Sequence, residues 1–97
     1  MRIIALRTIK EFWLNHPETE QPLKSWFDEV KKADWENPND VVSQFPNVRT
    51  IKNDRVVFKI KGNKYRLVAA VKYDFKIVYI RFIGTHSNYD KINAEEI

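Results

Sequence analysis

Arg66, Arg81, His86 and Tyr89 bring phosphate-binding and proton-transferring side chains into the second half of this 97-residue chain. A guanidinium presents N–H donors in a rigid fork that matches phosphate, so Arg66 and Arg81 on one surface would grip one between them. Histidine changes charge near neutrality and can take or give a proton during a reaction. His16 and His86 are far apart, no carboxylate cluster accompanies either, and no metal or other cofactor is expected. Arg, Lys, His and Tyr around a phosphate without a metal suit RNA transesterification. A base deprotonates the 2′-hydroxyl, which attacks phosphorus; cations stabilise the phosphorane oxygens, and an acid protonates the departing 5′-oxygen. DNA lacks that nucleophile. Plainer readings stand beside this one: each arginine pairs with Asp54 or Asp74, and His86 is an ordinary polar residue.

Charge supports a polyanionic partner. Asn47 to His86 holds ten Lys/Arg against two acids, whereas the first forty-six residues hold six against eight and the last eleven one against three. The net charge of +4 therefore conceals a strongly basic segment with acidic flanks. Such a segment attracts nucleic acid, although a solvated lysine-rich face has the same composition. Lys52, Lys61 and Lys64 are candidates for contacting RNA, and Tyr79 for stacking on a base.

The elements that must position these residues follow from spacing. Arg2 to Ala5 reads as a short strand. Leu6, Ile9 and Trp13, with Phe12 beside them, then mark a helix that Pro17 ends. A second helix begins near Thr19 to Pro22 and carries Leu23, Trp26, Phe27 and Val30. Asn37-Pro38 caps a short third one, closed by Pro46. Beyond Asn47 the period falls to about two. Strands are predicted over Arg55–Ile60, Tyr65–Lys72 and Lys76–Ile83, with turns at Lys61–Lys64 and Tyr73–Phe75, and a helical turn near Gly84–Lys91. The expected fold is α+β: an N-terminal strand and two to three helices packed on one face of an antiparallel sheet, in a single domain over residues 1–97. Unbroken alternation places Arg66, Tyr79 and Arg81 together on the opposite, open face.

Composition narrows the class. There is no cysteine, hence no disulfide or thiolate chemistry, which suits a reducing cytoplasm. No apolar run approaches a membrane span, and Arg7 interrupts what a signal peptide would need, so no membrane association is expected.

The runs Gly62-Asn63-Lys64-Tyr65-Arg66, Val78-Tyr79-Ile80-Arg81 and Gly84-Thr85-His86-Ser87-Asn88-Tyr89-Asp90 occur in order. They resemble the HigB family, toxins of type II toxin–antitoxin systems within the RelE-like group, and the similarity extends over essentially the whole chain. The resemblance implies a cytoplasmic mRNA interferase, an endonuclease that cuts messages, usually on translating ribosomes, and so inhibits translation. It also implies a HigA-type helix-turn-helix antitoxin as partner. By matching position, Arg66 and Arg81 would stabilise phosphate, His86 would transfer protons, Tyr89 would support the site and Lys52 would position RNA. Two other readings compete: a non-catalytic RNA-binding module, which would return RNA whole, and a protein-interaction domain whose basic face docks an acidic partner.

Overall fold

Helical and strand periods part at Asn47 in the computed structural model, which describes all 97 residues. Strand β1 (Arg2–Ile4) leads into helix α1 (Leu6–Asn15), and a 3-10 turn over Pro17–Thr19 redirects the chain into α2 (Glu20–Lys32). Helix α3 (Pro38–Gln44) starts as its sequence predicts: the Asn37 side chain accepts from the Asp40 amide, and Pro38 occupies the first turn, where no N–H is needed. Strands β2 (Arg49–Ile51), β3 (Arg55–Ile60), β4 (Tyr65–Lys72) and β5 (Ile77–Thr85) follow, and α4 (His86–Tyr89) closes the regular structure. No helix is long and apolar enough to cross a membrane.

The five strands lie in the order β1-β5-β4-β3-β2. The α+β class stands, but the sheet is mixed: β1 pairs in parallel with β5, and the other pairs are antiparallel. Strand β2 is an addition to the elements read from sequence. Three residues display no alternation, and the signal lies instead in Asn53-Asp54, both at positive φ, which turn β2 tightly into β3.

One sheet face carries Val56, Phe58, Leu67, Ala69, Val71 and Val78 against Ile9, Leu23, Trp26 and Val30 of the helices. Trp26, Trp35 and Phe45 meet the Phe58 ring at centroid distances of 5.3, 6.3 and 5.2 Å. Burying these rings contributes heavily in so short a chain.

The other face differs from expectation in two ways. It is not wholly open: Tyr89, Ile92, Ala94 and Ile97 pack on Val57, Val68 and Phe82. Arg55 holds this C-terminal cover by donating from Nε to the Ile97 main-chain oxygen at 2.9 Å, and Asn53 donates to the Glu95 oxygen at 2.9 Å. Alternation along β5 also breaks. Val68 pairs with Phe82 while Ala69 pairs with Ile80, so Arg81 is the extra residue of a β-bulge. Tyr79, opposite Ala70, stays on the second face. The bulge moves Phe82 to that face and returns Ile83 to the helix side.

Candidate active site

The uncovered end of the second face contains a cleft of about 420 Å³ lined by Asn47, Val48, Arg49, Val57, Lys59, Arg66, His86, Tyr89 and Asp90. Strand register assembles its cationic floor. Arg66 lies between Lys59 on β3 and Gly84 on β5, while Arg49 on β2 pairs with Val57. Like charges directly opposite on neighbouring strands are unfavourable, so the Lys59–Arg66 pair costs the fold something. An anion between them would reverse that sign. Three cations line the cleft against one carboxylate, that of Asp90.

Arg66 is only 7% exposed and has no ion-pair partner. Asp54 faces Lys72 instead, at 3.7 Å. Asn63 fixes the guanidinium: Nη1 donates to the Asn63 carbonyl at 2.8 Å and Nη2 to the Asn63 Oδ1 at 2.6 Å, with a longer Nη1 contact to the Tyr65 oxygen at 3.4 Å. These acceptors occupy the end of the fork. The Nε–H and one Nη2–H remain as a parallel pair without an acceptor in the chain, the arrangement that grips a phosphate side-on.

Helix α4 brings His86 to this floor. Thr85 and Asn88 form a reciprocal capping box, the Asn88 amide donating to Thr85 Oγ1 at 3.1 Å and the Thr85 amide to Asn88 Oδ1 at 3.3 Å. His86 thus begins the helix, and Asp90 falls on its face one turn later, with His86 Nδ1 and Asp90 Oδ2 3.1 Å apart. When the carboxylate accepts from Nδ1–H, the lone pair is on Nε2, where it can serve as a base. Gly84 allows the turn to close over the sheet: a Cβ there would lie 2.7 Å from Phe82 Cζ and 3.1 Å from Asn88 Cβ.

Of the residues singled out from sequence, Arg66, His86 and Tyr89 come together in this cleft. Arg81, exposed at its bulge, is not among the lining residues; the pairing of Arg81 with Arg66 assumed an alternation that the bulge interrupts. Lys52 lies in the β2–β3 turn, Lys61 and Lys64 in the β3–β4 turn, and Tyr79 further along β5, all outside the cleft. Sequence reasoning passed over Asn47, Arg49, Lys59, Asn63 and Asp90. Lys59 was findable as the cross-strand partner of Arg66 once the hairpin turn was fixed, and Asp90 from its i+4 spacing to His86 on a capped turn. Arg49 required strand β2 to be known.

Fold and cleft together define a small α+β domain with a histidine above an uncompensated guanidinium. A family described as "HigB_toxin, RelE-like toxic component of a toxin-antitoxin system" matches residues 19–92. The chain belongs to this family of toxin components. It is 28% identical over 94 residues to the mRNA interferase HigB of Escherichia coli O6:H1 (strain CFT073), covering 95% of this chain and 91% of that protein. It is 27% identical over 96 residues both to the mRNA interferase toxin HigB of Escherichia coli K12 and to the mRNA interferase HigB of Shigella flexneri, in each case covering 97% of this chain and 92% of the relative.

Proposed function

We propose that this toxin is an mRNA interferase, a metal-independent endoribonuclease that cuts messages on translating ribosomes and thereby inhibits translation. The observation that carries the reading is the buried Arg66, oriented by Asn63 yet unpaired, in one cleft with the His86–Asp90 couple. The names of relatives spanning nearly the whole chain agree with it.

In this mechanism Asp90 holds Nδ1–H of His86, and Nε2 takes the proton from a 2′-hydroxyl. The resulting oxygen attacks the adjacent phosphorus, and the P–O5′ bond breaks to leave a 2′,3′-cyclic phosphate and a 5′-hydroxyl. Arg66 binds the phosphoryl oxygens through its free edge, and Lys59 adds a second positive charge as the phosphorane forms. The departing 5′-oxygen takes a proton, for which the cleft offers the Tyr89 hydroxyl and the Lys59 ammonium. Arg81, Lys52, Lys61 and Lys64 contribute the wider positive field that draws in RNA, and Tyr79 adds an aromatic surface beyond the cleft. A HigA-type helix-turn-helix antitoxin is the partner, and the cytoplasm, where messages are translated, is the place of action.

The test is cleavage of a defined message in a translating bacterial extract, with ends mapped by primer extension for the wild type and His86→Ala. Isolated RNA with a chelator is run beside it. Cuts within the reading frame that vanish in the variant are expected, with little cutting of free RNA. Intact message from folded wild type would refute the nuclease and leave a binding module.

A further inference from the structure

The His86 cleft does not end at Lys59. Asn47, Val48 and Lys59 also wall a second depression of about 280 Å³, which extends under Phe45 and Pro46 to the rim of Phe58. Phe45, Pro46, Val48 and Phe58 supply its apolar part, Lys59 a cation and Gln44 and Asn47 two amides; no carboxylate lines it. Of its two side-chain amides, Gln44 is committed: Oε1 accepts from Trp35 Nε1 at 3.0 Å, and Nε2 donates to the Glu29 oxygen at 3.2 Å. The exposed Asn47 amide makes no hydrogen bond within the chain and faces both depressions. On the opposite side the cleft runs past Arg49 and Tyr89 into a depression bearing the Glu95 carboxylate. A phosphodiester strand leaving the cleft meets Lys59 and the neighbouring Lys61 on the first side, whereas on the second the Glu95 carboxylate offsets Arg49.

We infer that the depression between Asn47 and Phe58 is a nucleobase subsite: it takes the base adjoining the cleaved phosphate, and the Asn47 amide reads that base's edge. This rests on the ribonuclease reading above and adds to it the source of sequence preference. The chemistry is that of unstacked RNA bases, which lay an apolar face on hydrophobic or aromatic side chains and expose a donor–acceptor edge. An amide matches such an edge because it offers a donor and an acceptor side by side. Lys59, shared by both depressions, would hold the phosphate that joins the bound nucleotide to the reacting one. Asn47 is therefore a specificity-determining residue, separate from the proton-transferring pair.

The experiment uses a pool of messages randomised over several codons and translated in extract, with cut ends sequenced. Wild type, Asn47→Ala and Asn47→Asp are compared, with Glu95→Gln as a control in the other depression. Wild type should show a base preference at one position beside the cut. Asn47→Ala should flatten it by about 5- to 150-fold, the range of one amide–base pair, while cutting continues. Asn47→Asp, which keeps acceptors and loses the donors, should redistribute it among bases. Glu95→Gln should leave it in place. Unchanged base frequencies in both Asn47 variants, with cutting intact, would overturn the subsite alone. Whole RNA from the wild type would overturn the ribonuclease reading and the subsite with it.

Discussion

Replacing Arg66 by lysine keeps the charge and removes the fork, and so separates two roles of this side chain. In the fold, Arg66 donates to Asn63 at 2.8 and 2.6 Å. Asn63 is exposed, so its oxygens regain water when the guanidinium goes, and each lost bond costs about 1 kcal/mol rather than the larger value of a buried charged pair. Two such bonds give roughly 1–2 kcal/mol, or a fall in Tm of roughly 4–16 °C for a domain of this size. Catalysis should suffer more. In the proposed mechanism the parallel donors face the phosphoryl oxygens where charge develops, and loss of one such donor typically costs about 2.7–4 kcal/mol, or 10²–10³ in rate. Arg66→Lys should therefore fold, melt modestly lower, and cut message at about a hundredth of the wild-type rate under single-turnover conditions. Arg66→Ala should be no more stable and slower still. Lysine restoring the rate to within about threefold would mean that charge alone matters and that the free edge has no role. An unchanged rate in the alanine variant would reduce Arg66 to an anchor of the β3–β4 turn.

Other substitutions separate position from stability. Asp90→Asn should slow cutting by roughly tenfold or more through loss of His86 orientation, yet leave the melting temperature almost unmoved, because exposed ion pairs contribute about 0–1 kcal/mol; kinetics beside a thermal melt checks both. Gly84→Ala places a Cβ against Phe82 and Asn88 and should destabilise by about 1–3 kcal/mol, with activity falling further as α4 shifts; urea titration and cleavage assays measure the two effects. Acid should weaken the fold through Glu18 and Asp34, whose carboxyl groups are held below their ordinary values chiefly by hydrogen bonds from Tyr65 and Lys76 respectively. A lowered folded-state value stabilises above the unfolded value, and that stability disappears as pH drops through the folded one. Glu18→Ala should consequently flatten the loss of stability below about pH 4.5, the ordinary value for the group, in melts taken across the acid range. At the other extreme, burial pushes the Tyr73 phenol up to about 12, so the fold should lose stability as pH rises from 10 towards 12, and Tyr73→Phe should reduce that slope in alkaline melts, leaving the part due to Tyr65, whose phenol is raised by its hydrogen bond to Glu18.

Much of this architecture is written in local pattern. The helix stripes, the Asn37-Pro38 cap and the hairpin at Lys61–Lys64 are short-range signals, and each element forms where its signal lies. What escaped is long-range or aperiodic. A single inserted residue at Arg81 reverses the phase of Phe82 and Ile83, and nothing in their residue types announces it. The parallel edge contributed by β1 and the cover supplied by residues 89–97 depend on where distant segments dock. For the site, residue type pointed to His86 and Arg66, whereas the partners that orient them, Asp90 and Asn63, gained meaning through geometry. Arg81 shows the converse: residue type alone does not place a side chain.

Tyr89 belongs to two structures at once, as a wall of the His86 cleft and as part of the apolar cover over Val57 and Val68. That cover is tied down through Arg55 to Ile97 and through Asn53 to Glu95. The wall of the cleft and the cover formed by residues 89–97 are therefore held by shared contacts. Ile92, Ala94 and Ile97, which pack with Tyr89 in that cover, are synthesised after Arg66, His86 and Tyr89. The contacts that steady the wall of the cleft therefore come from residues made after the groups it encloses.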